Sequence, residues 1–323
     1  MVSAAPLLFA LHESQPFAIR VARHLALPLG TVEEHRYEDG EYKCHPLDPV
    51  AGRRVVVFAG LYPEAGLSVH DKLCRLLFFC SAIKDAGARH LQVVSPYLCY
   101  SRKERRIQAQ DPVITRYLAT LMEASGIDGL TTLDVHDQAA FDNAFRIPTR
   151  QLESAPLFAE RFISGYRGEA LVVASPDLGG IKRAERFRQV LEQRLGQSIE
   201  RAYVEKYRCD ESLSGSMLVG NVKERTVILL DDLISTGATL LRAAETCHAA
   251  GARRIYAMAT HSLFTTCDEL LSSPLFERIV VSDSIPSPRL EPAMQAGRVE
   301  VLDTSAAIAA ALASQYGLED SAE

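Results

Sequence analysis

Two adjacent carboxylates, Asp231 and Asp232, close an aliphatic run in residues 227–240, VILLDDLISTGATL, and a small hydroxyl-rich loop follows at once. Like charges side by side are unfavourable unless something polar meets them. Ionised carboxylates only accept hydrogen bonds, which suits the hydroxyls of a ribose ring or a hydrated magnesium ion. The loop residues Ser235, Thr236, Gly237, Ala238 and Thr239 lead into a helix. Unpaired N–H groups at a helix start, at the positive end of its dipole, can receive a phosphate. Thr236 and Thr239 add hydroxyl donors. Acceptors for a diol beside a cradle for a phosphate form a layout suited to a phosphorylated sugar.

Five further clusters carry chemistry. Lys206 and Arg208 stand two apart after the strand-like RAYV and before the polar stretch CDESLSGSM, which reads as a mobile loop. On an extended chain they face one side and could clamp a phosphoryl transition state. Asp177 lies in ASPDLGGIKR, where Gly179 and Gly180 allow close backbone approach to a ligand before a helix carrying Lys182 and Arg183. His136 ends the strand-like TTLDVH. In PYLCYSRKERR (96–106) the bases Arg102, Lys103, Arg105 and Arg106 suit a solvated loop, a nucleic-acid patch or a triphosphate. RYEDGEY (36–42) places Tyr37, Asp39 and Glu41 around an acidic turn.

Alternating elements must position these residues. β-Branched runs at 53–59, 91–95 and 130–135 alternate with helix-length segments at 68–86 and 113–126. The rhythm restarts with strands at 170–175, 201–204, 226–230 and 254–260, and helices at 180–195 and 239–250. That is the grammar of mostly parallel sheets flanked by helices. The halves also echo each other: IKDAGARHLQVVSPYL (83–98) and CHAAGARRIYAMATHSLF (247–264) each run helix end, glycine stop, strand, loop. A duplicated α/β domain follows, with boundaries near 1–151 and 152–304. Only the second copy keeps acids at the end of the strand before its first helix. A terminal helix at 305–316 could pack on either half, and GLEDSAE is expected to fray.

A formal net charge of −6 over 323 residues argues against general nucleic-acid binding, so any anion must be met by a local basic cluster. Seven cysteines without a CxxC pair, and a start lacking a basic and long apolar leader, point to a reduced, cytoplasmic setting. The apolar stretch 73–83 contains Arg75 and falls far short of the ~20 residues a membrane span needs.

The segment VILLDDLISTGATL resembles the phosphoribosyl-pyrophosphate (PRPP) binding motif shared by type I phosphoribosyltransferases and ribose-phosphate pyrophosphokinases. The resemblance implies two tandem phosphoribosyltransferase-like domains, with Asp231 and Asp232 on the ribose diol and 235–239 on the 5-phosphate. A transferase explains that segment alone. The pyrophosphokinases also carry Lys-x-Arg on a catalytic loop (Lys206, Arg208) and an SPDxGGxKR segment whose Asp (Asp177) serves magnesium and the sugar phosphate. A strand ending Asp-x-His (Asp134, His136) meets the metal–ATP complex. A YxRQD-like loop contacts ATP, and an FxDGE-like turn (Tyr37, Asp39, Glu41) reaches a neighbouring subunit's adenine pocket. The resemblance therefore implies transfer of pyrophosphate from ATP to ribose 5-phosphate, with Mg2+, in a homo-oligomer that is dimer-based and usually hexameric. The alternatives are a phosphoribosyltransferase and a non-catalytic regulatory subunit of the same fold. Departures are local: Arg102 matches, but Lys103 and Glu104 replace Gln and Asp. HDQAAFDNAFRIP is one residue longer than the family run, and Arg150 stands where an acid is usual. Regulation by phosphate or ADP is therefore not carried over.

Overall fold

The computed structural model describes residues 5–209 and 213–318. The chain divides into two compact units, Met1–Leu152 with Thr304–Glu323, and Glu153–Asp303.

In the first unit β1 (Leu7–Ala10) leads into α1 (Gln15–His24), and a hairpin of β2 (Val32–Arg36) and β3 (Tyr42–Pro46) follows. Then come β4 (Arg54–Phe58), α2 (Val69–Asp85), β5 (His90–Ser95), α3 (Ile114–Ala124), β6 (Gly129–Leu133), α4 (Gln138–Ala144) and β7 (Thr149–Leu152). The sheet is parallel throughout, in the order β1-β4-β5-β6-β7, and the β2–β3 hairpin forms a separate two-stranded sheet. Side chains alternate along β4 between two cores. Val55 and Val57 pack with Leu76, Phe79 and Ile83 of α2, while Val56 and Phe58 pack with α1 and the terminal helix. Burial on both faces is why these parallel strands read as unbroken aliphatic runs.

The second unit holds α5 (Ala155–Ile163), β8 (Leu171–Ser175), α6 (Ile181–Leu195), β9 (Glu200–Cys209), β10 (Leu213–Val219), β11 (Thr226–Ile234) and α7 (Ala238–Ala249). It continues with β12 (Arg254–Ser262), α8 (Asp268–Ser272), β13 (Arg278–Ser282), α9 (Glu291–Gln295) and β14 (Val299–Leu302). Its sheet runs β10-β9-β8-β11-β12-β13-β14, parallel except for the antiparallel β9–β10 pair.

The helix that follows the last strand of each sheet belongs to the other unit. The helix after β7, α5, packs with α6 in the second unit, whereas α10 (Ser305–Tyr316), after β14, packs with α1 in the first. Ile308, Ala309, Leu312 and Tyr316 join the α1 core, Arg54 lies 4.8 Å from the Tyr316 ring centroid, and Arg150 Nη1 donates to the Ala311 carbonyl at 2.7 Å. Arg150 is thus an anchor for α10. Of the expected terminal fray, Glu319–Glu323 lie outside the described residues. Among the described residues no helix is long and apolar enough to cross a membrane.

Candidate active site

The acids end β11. The strand runs four residues further than its aliphatic core suggests, because β12 continues beside it, pairing Leu233 with His261 and Ile234 with Ser262. Asp232 is 2% exposed and Asp231 half-buried. Arg183, in the first turn of α6, stands 3.8 Å from Asp231 Oδ1 and 3.7 Å from Asp232 Oδ1. The Asp232 N–H donates to Asp231 Oδ1 at 2.8 Å. Burial first, and then the like charge of Asp232, push the Asp231 carboxyl up to about 7, against the pull of Arg183. Sequence reasoning quoted Arg183 without giving it a role. Its signal was its place on the helix that opens directly after Asp177.

That helix start is itself organised by Asp177. After β8, Asp177 Oδ1 accepts from Gly179 N–H at 3.0 Å and Gly180 N–H at 3.2 Å, capping a short 3-10 turn that runs into α6. Gly180 leaves no room for a side chain: a Cβ there would meet Ser175 Oγ at 2.6 Å.

The loop after β11 has three residues, Ser235, Thr236 and Gly237. Gly237 takes φ +77° as the N-cap of α7 and offers no side-chain cap. Thr236 Oγ1 meets the Ala238 N–H only at 3.4 Å, a weak contact. Ala238 and Thr239 form the first turn, so the helix start faces outward with hydroxyls around it. A strap after β12 holds the loop from beneath. Leu263 N–H and Phe264 N–H donate to the Ile234 carbonyl, Thr265 N–H donates to the Ser235 carbonyl at 3.0 Å, and Leu270 packs under Gly237. Phe264 is buried at φ +43°, a conformation a bulky residue adopts only where its surroundings demand it. Nothing in the sequence reading singled out this strap.

Lys206 and Arg208 occupy alternate positions on β9, in register with Ser216 and Ser214 of β10. Where the sequence suggested a mobile loop over 209–217, the described chain is an antiparallel hairpin. Ladder pairing across β9 and β10 outweighs the polar composition. Asp210 to Ser212 lie outside the described residues, as do the side chains of Lys206 and Arg208.

The remaining candidates belong to the first unit. Arg102 and Lys103 are exposed on the loop after β5. Its base is tied to α3 by Thr115, whose N–H donates to the Lys103 carbonyl at 3.3 Å and whose Oγ1 donates to the Tyr100 carbonyl at 2.7 Å. His136 is half-buried just past β6, the strand beside β5. Tyr37, Asp39 and Glu41 form the exposed tip of the β2–β3 hairpin, closed by Tyr37 N–H to the Glu41 carbonyl at 2.9 Å and Glu41 N–H to Asp39 Oδ1 at 3.0 Å. Among the described residues no group of three or more His, Cys, Asp or Glu side chains is arranged to hold a metal ion.

Family models match both ends of the chain: the N-terminal domain of ribose phosphate pyrophosphokinase over residues 7–126, and a phosphoribosyl synthetase-associated domain over 207–321. Ribose-phosphate pyrophosphokinase 1 of Streptococcus agalactiae serotype III (strain NEM316) is 32% identical over 281 residues, 86% of this chain and 84% of that protein. The protein of the same name from Streptococcus mutans serotype c is 32% identical over 284 residues, 87% of this chain and 85% of its own. The chain belongs to the ribose-phosphate pyrophosphokinase family. The phosphoribosylpyrophosphate synthetase of Mycobacterium smegmatis, 23% identical, superposes with a TM-score of 0.84 over 97% of this chain and 99% of that one, which shows the fold. Two tandem phosphoribosyltransferase-like domains are the architecture of this chain.

Proposed function

We propose that this chain is a ribose-phosphate diphosphokinase that makes PRPP and AMP from ribose 5-phosphate and ATP. The observation that carries the reading is the Asp231–Asp232 pair, its second member buried, beside an uncapped left-handed turn, in a chain whose relatives are named pyrophosphokinases. Asp231 and Asp232 accept from the ribose hydroxyls, and the loop 235–239 with the start of α7 receives the 5-phosphate. The anomeric oxygen attacks the β-phosphorus of ATP. Its bond to phosphorus forms as the bridge between α- and β-phosphorus breaks, AMP leaves, and the hydroxyl proton is released. Catalysis is mostly positioning and neutralisation of charge, as in other phosphoryl transfers. Lys206 and Arg208 supply positive charge to the transferring group. Arg102, Lys103 and His136 orient the triphosphate, and Tyr37, Asp39 and Glu41 meet the adenine, Tyr37 by stacking.

Mg2+ suits the carboxylate donors Asp177, Asp231 and Asp232 of the second unit. An ion that keeps several waters and binds one or two carboxylates plus substrate phosphates needs no protein cage. By the family resemblance His136, in the first unit, is the residue that would offer an imidazole to the metal–ATP complex. When bound, magnesium neutralises phosphate charge. The working form is a cytoplasmic homo-oligomer, at least a dimer if the hairpin tip serves a neighbouring subunit.

Phosphorus NMR of the purified protein with ribose 5-phosphate, ATP and magnesium tests the reaction. AMP and a new sugar-linked diphosphate are expected. Intact ATP beside an active control would refute the proposal, and consumption of PRPP with a nucleobase and no ATP would assign the chain to the transferases.

A further inference from the structure

The hairpin carrying Tyr37, Asp39 and Glu41 shares no strand pairing with its unit's five-stranded sheet. A lone two-stranded ribbon is marginal in stability, so its aim is set by whatever grips its root. Part of that grip is apolar: Cys44, Val32 and Tyr42 pack with the α2 core around Leu76 and Cys80. Contacts of that kind resist separation but are non-directional.

The rest is ionic and directional. Arg75, on α2, is 7% exposed. Its Nη2 meets the Glu34 carboxylate of β2 and lies 2.8 Å from the Tyr42 hydroxyl of β3. Its guanidinium carbon sits 4.3 Å from the Tyr42 ring centroid. The Tyr42 hydroxyl donates to the same carboxylate oxygen of Glu34, whose other oxygen accepts from His12 N–H at 2.8 Å. Glu13, whose side chain is 4% exposed, places a carboxylate oxygen 3.4 Å from Arg75. One cation on the helix thus closes a ring with one side chain from each strand of the ribbon. Burying such a cluster is costly, and apolar residues of similar volume would hold the root as firmly. What the ring adds is a fixed angle. Tyr42 adjoins Glu41 in the chain, and Glu41 accepts from Tyr37 N–H, so the orientation of Tyr42 passes directly into the tip.

We propose that Arg75 is a positioning residue for ATP: acting through Glu34 and Tyr42, it holds the hairpin tip at the angle at which Tyr37, Asp39 and Glu41 meet the adenine. The inference rests on the reading of those three residues as adenine contacts. It assigns Arg75 no contact with substrate.

The test is steady-state kinetics on the full chain, with KM for ATP and for ribose 5-phosphate measured separately. Tyr37→Ala, which reports on the adenine reading, is expected to raise KM for ATP about tenfold. Arg75→Met should raise it by a similar factor while KM for ribose 5-phosphate and kcat stay within about twofold, and Arg75→Lys should recover part of the loss. Tyr42→Phe removes one hydroxyl, leaves the core filled and should raise KM for ATP about threefold; it decides the question even if Arg75→Met does not fold. The double variant Tyr42→Phe/Tyr37→Ala should match Tyr37→Ala alone, because both act through one tip. Equal losses for both substrates, effects that add to Tyr37→Ala, or an unchanged KM for ATP in Tyr42→Phe and Arg75→Met would overturn the role of Arg75 while the adenine reading stands. An unchanged KM for ATP in Tyr37→Ala would refute the adenine reading itself and the positioning role with it.

Discussion

The connection from β4 to α2 and the connection from β11 to α7 occupy the same place in two copies of one fold, and they are finished in opposite ways. In the first, ten residues separate Phe58 from Val69, and the unit's own side chains fill them in. Ser68 accepts from Asp71 N–H while Asp71 accepts from Ser68 N–H, a complete capping box. Gly60 N–H donates to Ser14 Oγ at 2.8 Å, and fully buried Lys72 lies 3.7 Å from the Tyr62 ring centroid and 3.1 Å from Glu64. In the second, three residues suffice, the cap is a glycine, and two acids stand beside an arginine. The same helix start can be closed for stability or left open for an anion. A capping box satisfies the N–H groups that a phosphate would otherwise meet.

Perturbing the second connection should remove activity, and perturbing the first should remove only stability. The largest effect is expected elsewhere in the same unit: Lys206→Ala should lower turnover by roughly 10²–10³-fold while ribose 5-phosphate binding, read by calorimetry, survives. Unchanged turnover would strip Lys206 of its role. Matched glycines give the next contrast. Gly237→Ala imposes a left-handed alanine and drives its Cβ to 2.7 Å from Leu270, so KM for ribose 5-phosphate should rise about tenfold along with a loss of about 2 kcal/mol in stability. Gly66 has the same φ, +77°, but open space around it. Gly66→Ala should destabilise by about 1 kcal/mol and leave both KM values alone. If the two variants behaved alike, the contrast between the connections would fail.

The Asp231 carboxyl sharpens the comparison through pH. Because burial and Asp232 raise it to about 7, it becomes a full acceptor only as pH climbs through that value, and ribose 5-phosphate affinity should rise several-fold there. Asp231→Asn should flatten the rise; subtracting its profile removes the titration of the substrate's own phosphate. Stability of the unliganded chain runs the other way. The folded state keeps a proton that the unfolded state releases near 3.8, so this contribution is present in acid and lost as pH rises toward 7. A chemical-denaturation series from pH 4 to 8, with and without Asp231→Asn, reads it. The smallest effect belongs to the closed connection: Ser68→Ala should lower stability by about 1 kcal/mol with kinetics unchanged.

Much of this was legible along the chain because it is encoded locally. The aliphatic runs of β4, β5, β8 and β11 and the helices α2, α3, α6 and α7 lie within a few residues of where their hydrophobic periods place them. The acids, the glycine turn and the Lys-x-Arg pair are contiguous motifs, so their chemistry can be named before any fold is known. Weaker elements escaped. β1 has four residues, and β2 and β3 are strands of mixed polarity that pair only with each other. α8, with five residues, is too short to show a period.

The tertiary structure alone decided whatever depends on residues far apart in sequence. It set Arg183 against Asp231 and Asp232, tied the strap 263–265 to the loop after β11, and joined Arg75 to Glu34 across 41 positions. It also placed α10 with α1, through an Ala-rich surface that presents no strong apolar stripe to read in advance. Propensity and motif are short-range properties of the chain, whereas burial, charge pairing and the raised carboxyl of Asp231 are set by neighbours that only folding brings together.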